Sequence, residues 1–226
     1  MKRIPDESVD IIITSPPYNI GKMHSNTTQH GTYAGNDMKE TDYQNWQLEI
    51  FSEMYRVLKD TGSLFYNHKV RIKEGKAIHP LEWIFKTDFV LKQEITWDMG
   101  KSPNCDKIRF FPFSERVYWL TKSPKTKIYN VNKLSDVWRV VPTHKRKETG
   151  HIAVMPSEIA DIVLQSVEGD VVLDPFMGSG TTAISCTDNE RNYIGFEIDE
   201  EYHAKSLERI KNHTTQTDMF DVLEGN

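Results

Sequence analysis

The chain has 226 residues, 27% of them charged and 38% hydrophobic, with a net charge of −5. That length suits one large α/β unit, or one domain carrying a small insertion. No stretch approaches about 18 consecutive apolar residues, and the opening MKRIPDESVD lacks the apolar run of a secretion signal, so a soluble cytoplasmic protein is expected. The two cysteines, Cys105 and Cys186, cannot build a disulfide framework, and neither they nor the eight histidines show ligand spacing, so no metal site is expected.

In chain order, Val9 to Thr14 is an apolar run closed by Pro16-Pro17, the pattern of a strand buried on both faces and ending in a loop. Gly21 to Thr41 is polar, without helical periodicity. Trp46, Leu48, Phe51, Met54, Tyr55 and Leu58 recur at helical spacing, with Thr61-Gly62 as the expected stop, and GSLFYNH follows as a strand. Ile78 to Phe85 reads as a short helix, and Phe89 to Trp97 and Arg116 to Thr121 read as strands. Pro156 opens a helix through Leu164, and Asp170 to Phe176 is a second buried strand. GSGTT leads into a helix near Ala183 to Cys186, Asn192 to Ile198 is a strand, and Glu201 to Lys211 is an amphipathic helix. Alternating strands and helices predict an α/β fold with a doubly wound, mostly parallel sheet.

Charge is unevenly spread. Between Lys101 and Lys147 twelve Lys/Arg face three Asp/Glu, a local excess of nine positive charges. Basic residues there alternate with aromatics and amides, the composition of a surface that meets phosphates and bases, although a solvated basic face fits the charge equally well. Weak periodicity marks 101–150 as an insertion between a first part, 1–100, and a last part, 151–226.

Two loops beyond the carboxyl ends of buried strands carry the chemistry, where open α/β sheets bind ligands. In Asp174-Pro-Phe-Met-Gly-Ser-Gly-Thr-Thr182 the glycines permit positive φ and close approach, and the next helix offers free N–H groups to an anion. The loop lacks the lysine of a triphosphate-binding loop. Glu197, at the end of the next strand, can accept both hydroxyls of a ribose, so the pair points to a nucleoside cofactor with a small carboxylate arm. In Thr14-Ser-Pro-Pro-Tyr-Asn19 the prolines fix the backbone and turn carbonyls outward as acceptors. Ser15 adds a polar group and Tyr18 a flat ring, a set suited to a planar substrate with an exocyclic amine.

TSPPY together with DPFMGSGTT resembles the paired catalytic and cofactor motifs of the amino-group DNA methyltransferases that use S-adenosylmethionine. The order, catalytic motif first, is similar to their permuted β group. ITWDMGKSPN resembles the tryptophan segment before the target-recognition region, and DVWRVVPTHKRKETGHIAVMPSEIADIVL resembles the segment leading to the helix before the cofactor strand. The resemblance implies a Rossmann-like methyltransferase fold with a target-recognition insertion. It implies that Asp174, Phe176, Gly178, Ser179, Gly180 and Thr181 surround the methionine and adenosine, that Glu197 holds the ribose, and that Ser157 helps hold the methionine end. Ser15, Pro16, Pro17 and Tyr18 would hold the target base. His151-Ile-Ala-Val-Met-Pro156 departs from the family's HPAPFP.

The reaction implied is methyl transfer to the exocyclic amine of a base flipped out of double-stranded DNA, with no covalent nucleophile. Serine at the first motif position resembles the cytosine N4 group, with adenine N6 as the alternative, and a non-catalytic DNA-binding homologue is the competing class. Trp97 is a second stacking candidate, though a buried tryptophan at a strand end fits equally well, and Lys101, Lys107, Arg109, Lys145, Arg146 and Lys147 are the phosphate-contacting candidates. Gly21 to Thr41 would close over the flipped nucleotide. Dimerisation and an accompanying restriction endonuclease stay open. In the family a strand ending in an acid that contacts the adenine commonly precedes the catalytic strand, and only eight residues precede it here. The tail Met219 to Asn226 is therefore read either as a strand supplying that wall or as a frayed end.

Overall fold

A computed structural model describes residues 1–20, 37–100, 109–129, 135–142 and 155–224. The elements are β1 (Val9–Thr14), α1 (Glu40–Val57), β2 (Leu58–His68), β3 (Arg71–Lys73), β4 (Lys76–Ile78), α2 (Leu81–Ile84), β5 (Val90–Asp98), β6 (Ser114–Thr121) and β7 (Val137–Arg139). Then come α3 (Ser157–Ser166), β8 (Val171–Asp174), α4 (Thr181–Asp188), β9 (Asn192–Gly195) and α5 (Glu200–Glu224). Seven strands form one sheet in the order β7-β5-β6-β2-β1-β8-β9, and β3 and β4 form a separate hairpin. β1 runs parallel to β2 and β8, β8 to β9, and β5 to β7; only β6 runs antiparallel to both of its neighbours.

Alternation along the central strands builds two cores. Ile12, Leu64, Tyr66, Tyr118 and Leu120 point to one face and meet Tyr43, Phe51, Met54 and Val57 of α1 and Trp83 of α2. Ile11, Ile13, Phe65, Val117 and Trp119 point to the other and meet Ile159, Ala160, Val163 and Leu164 of α3 and Cys186 of α4. A one-residue slip would exchange these faces, so the doubly covered sheet fixes its own register. The predicted α/β class and mostly parallel sheet are what the chain adopts.

Four local expectations need correction. Helix α1 starts six residues before Trp46 and ends at Val57, and Gly62 lies within β2 rather than at a helix stop. A Cβ at Gly62 would come 2.7 Å from the Asp10 carbonyl of the adjacent strand, so its glycine answers to close strand approach. β7, inside the basic region, was not expected; it pairs with β5 through Thr96↔Val137 and closes that sheet edge. Ile78 belongs to β4, leaving α2 a single turn. The tail is not a strand: α5 continues as helix to Glu224, and β9 remains the edge of the sheet. Of the nucleotide-closing segment 21–41, residues 21–36 lie outside the described residues, as do 143–154 and the HIAV portion of the divergent segment.

Candidate active site

Because β1 and β8 are adjacent and parallel, their carboxyl ends bring the two loops together. Thr14 Oγ1 donates to Asp174 Oδ1 at 3.0 Å across a separation of 160 residues. Asp174, 4% exposed, also accepts from Thr182 Oγ1 at 2.6 Å and from the Phe176 N–H at 3.0 Å. Burial pushes its carboxyl up to about 6 against the lowering effect of these donors. The aspartate thus ties the end of β1, the glycine-rich loop and the first turn of α4 into one piece.

Gly178 and Gly180 both have positive φ, 52° and 79°, as the turn required. The Gly178 N–H is not free, because it donates to Glu197 Oε2 at 2.9 Å, while the Asp199 N–H donates to Oε1 at 2.9 Å. Those two bonds fix the carboxylate and leave each oxygen a further lone pair. Phe196 and Ile198 on either side of the acid are 37% and 84% exposed, so apolar surface flanks a fixed acceptor. Arg209 of α5, which the sequence reading missed, reaches the Ser179 carbonyl at 2.9 Å and Thr181 Oγ1 at 3.2 Å, bracing the loop from behind. Phe176 meets Trp46 of α1 edge-on at 5.6 Å. Ser157 opens α3, where its carbonyl accepts from Ser185 Oγ of α4 at 3.3 Å and its own hydroxyl lies against Glu158.

The TSPPY loop is gripped from α1 and β2. Tyr43 Oη donates to the Pro17 carbonyl at 2.7 Å and meets His68 Nε2 at 2.8 Å. The Pro17 carbonyl, expected as an outward acceptor, is thus already engaged by Tyr43 through one lone pair, and Pro16 is buried. Tyr43 is placed by Arg71, whose guanidinium lies 4.8 Å from the tyrosine ring centre and binds Glu40 through two bonds of 2.7 and 2.8 Å. His68 is fully buried, and burial lowers its imidazole to about 3, so it is neutral. Its ring lies 4.5 Å from that of Tyr18.

Ser15, Tyr18, Asn67 and Glu115 form a compact polar cluster. Ser15 Oγ is 2.9 Å from Tyr18 Oη and donates to Asn67 Oδ1 at 3.1 Å, and Tyr18 Oη contacts Asn67 Oδ1 at 2.6 Å and Glu115 Oε2 at 2.9 Å. Burial raises both the Tyr18 hydroxyl and the Glu115 carboxyl. Asn67 lies at the carboxyl end of β2, the end the strand rule marks, so it was discoverable. Glu115 was not, since β6 is antiparallel and brings its first residues, not its last, to the site.

The remaining candidates divide. Trp97 is 4% exposed, with its indole N–H donated to the Val140 carbonyl at 2.8 Å, so it seals the β5/β7 edge and offers no face to a base. Arg109 is exposed. Lys101, Lys107, Lys145, Arg146 and Lys147 lie outside the described residues. Among the described residues no helix is long and apolar enough to cross a membrane.

Known proteins resemble this chain in sequence and in fold. A family model described as DNA methylase, for N6 and N4 methyltransferases, matches residues 9–208. The Type II methyltransferase M.BglII of Bacillus subtilis is 31% identical over 98% of this chain and 69% of its own length. DNA adenine methyltransferase YhdJ of Escherichia coli K12 is 28% identical over 93% of this chain and 79% of its own. Among solved structures, the PvuII DNA methyltransferase (cytosine-N4-specific) superposes with a TM-score of 0.75 at 19% identity, covering 95% of this chain and 87% of that one, a likeness of fold. The span of the family match and the relative above 30% identity place this chain in the N6/N4 DNA methylase family.

Proposed function

We propose that this DNA methyltransferase transfers the methyl group of S-adenosylmethionine to the N4 amine of a cytosine flipped out of duplex DNA. The observation that carries the choice of base is Ser15, a neutral hydroxyl at the first position of the catalytic motif, held beside Tyr18 and Asn67. The bound cofactor supplies an electrophilic methyl on a sulfonium. The residues present fit it: Glu197 is preorganised to accept ribose hydroxyls, Phe196 and Ile198 offer apolar surface to an adenine ring, and Asp174, Ser179, Gly180 and Thr181 shape the wall nearest the catalytic loop.

Ser15 and the Pro16 carbonyl hold the amine hydrogens, which turns the nitrogen lone pair towards the methyl group. Pro17, clamped by Tyr43, keeps that loop rigid. The Tyr18 ring, half-buried and backed by His68, supports the flipped base. Methyl transfer of this kind depends on orientation within a fixed geometry, which is what the Thr14–Asp174 and Tyr43–Pro17 bonds supply.

Residues 101–150 serve as the target-recognition region, between catalytic and cofactor halves at 1–100 and 151–226. Affinity for DNA falls steeply with salt, and neutralising Lys145, Arg146 and Lys147 together makes that dependence shallower. Incubation with labelled methyl donor and mixed-sequence DNA, followed by nucleoside mass analysis, tests the assignment: N4-methylcytosine is expected. N6-methyladenine alone would give the site to adenine, the base in the name of the relative YhdJ.

A further inference from the structure

The Ser15, Tyr18, Asn67 and Glu115 cluster is short of protons. Asn67 Nδ2 donates to the Arg116 carbonyl at 3.0 Å, which fixes its amide so that Oδ1 faces the hydroxyls purely as an acceptor. Four oxygen–oxygen contacts of 2.6 to 3.1 Å then join Ser15, Tyr18, Asn67 and Glu115. With Glu115 ionised, only the Ser15 and Tyr18 protons are available to fill them. The contact of 2.6 Å between Tyr18 and Asn67 requires the tyrosine proton, which leaves Tyr18 and Glu115 facing each other at 2.9 Å with nothing between them. A proton added to Glu115 fills that gap by donating to Tyr18.

We propose that Glu115 is the terminal acceptor of the proton released when the exocyclic amine is methylated, reached through the hydroxyls of Ser15 and Tyr18. This rests on the reading of the TSPPY loop as the target-base pocket. The nitrogen lone pair forms the bond to the methyl carbon as the carbon–sulfur bond breaks, its electrons remaining on sulfur. The nitrogen then carries the positive charge until one N–H bond breaks and its electron pair returns to nitrogen. The Ser15 and Tyr18 hydroxyls first turn from Asn67, and the proton then goes to Ser15 Oγ as the serine proton moves to Tyr18 Oη and the tyrosine proton to Glu115 Oε2. Glu115 later returns it to water.

The surroundings fit a proton acceptor. Burial raises the affinity of Glu115 for a proton, opposed by Lys69, whose Nζ lies 5.7 Å from the Tyr18 ring centre. Among the described residues the other groups around it carry no competing charge: His68 is neutral, Trp97 is the residue opposite on β5, and Arg116 turns away to Glu94 at 2.9 Å. A base whose ionisation lies closer to the working pH is the more effective one.

Glu115→Gln keeps the shape and the hydrogen bond to Tyr18 but cannot take up a proton. Single-turnover methyl transfer to duplex DNA is measured from pH 5 to 9 at saturating cofactor and DNA. The wild-type rate is expected to rise with pH through one ionisation. The Gln variant is expected to be about a hundredfold slower and flat with pH, with unchanged cofactor and DNA affinity, and Glu115→Asp restores part of both rate and slope. Tyr18→Phe breaks the same relay without touching the carboxyl, and gives the same flat profile if the Gln variant does not fold. A Gln or Phe variant that keeps the wild-type pH slope, whatever its rate, overturns the relay. A wild-type enzyme that methylates no amine in any DNA overturns the pocket reading instead.

Discussion

Tyr43→Phe removes one hydroxyl and leaves every ring contact in place. The hydroxyl holds the Pro17 carbonyl at 2.7 Å and His68 Nε2 at 2.8 Å. His68 is fully buried, so its nitrogen loses its partner with no water to replace it, whereas Pro17 is half-buried and regains part of its solvation. A stripped buried polar group costs about 1–3 kcal/mol, and with the weaker second loss the change comes to about 2 kcal/mol. For a chain of 226 residues that corresponds to a melting temperature lower by about 4–8 °C, readable by calorimetry and urea unfolding. The functional consequence is local. Methyl transfer falls, about tenfold, because the proline loop is no longer pinned, while cofactor affinity by titration calorimetry is unchanged because Asp174 and Glu197 keep their bonds. A stability loss below about 0.5 kcal/mol, or an equal loss of cofactor affinity, refutes the clamp.

Glu197→Ala removes the acceptor for the Gly178 and Asp199 N–H groups and for the ribose, and weakens cofactor binding by about 1–3 kcal/mol in calorimetry. Asp174 has a folded pKa raised from 3.8 to about 6, so its contribution is present in full below about pH 4 and lost as pH rises through 6. Relative to Asp174→Asn, the wild type should therefore lose about 3 kcal/mol across that window in urea titrations, and parallel profiles would disprove the raised acid. Gly180→Ala forces a side chain into φ 79° with its Cβ 3.2 Å from Ser206 and Ile210, a strain of about 1–3 kcal/mol that thermal melts will show. Truncation after Gln216 removes helix rather than a sheet strand, so circular dichroism should show a loss of helical signal, and a loss of sheet signal alone would contradict the helix.

The sheet and the two loops that follow its central strands were legible because period-2 burial and strand-closing turns are local signals, as in VDIIIT before SPPY and VVLD before the glycine-rich loop. What escaped depended on long-range partners. The strand β7 has three residues, too few for a pattern, and exists because Thr96 and Asp98 offer it an edge. The tail's apolar residues read as a strand or as a frayed end, and neither holds, because α5 continues through them as helix to Glu224. Tyr43 and His68 sit on apolar periodic positions where core residues are expected, and only the fold shows that they grip Pro17. For Trp97 the sequence left a stacking face and a buried strand-end tryptophan equally open, and the structure shows the second, with Val140 taking its indole N–H.

The antiparallel run of β6 also governs how the enzyme could diversify. β5 ends at Asp98 and β6 begins opposite it at Ser114, two residues that pair at the rim of the site, and the Met99 N–H donates to the Phe113 carbonyl at 2.8 Å to close the neck between them. Whatever chain is spliced between those two points leaves and re-enters the sheet beside Tyr18 and Glu115. Segments of different length or composition can thus be exchanged there as cassettes, with the hinge of the graft already registered to the pocket. Replacing residues 99–113 by the corresponding segment of a relative should therefore leave the Ser15, Tyr18, Asn67 and Glu115 contacts in place.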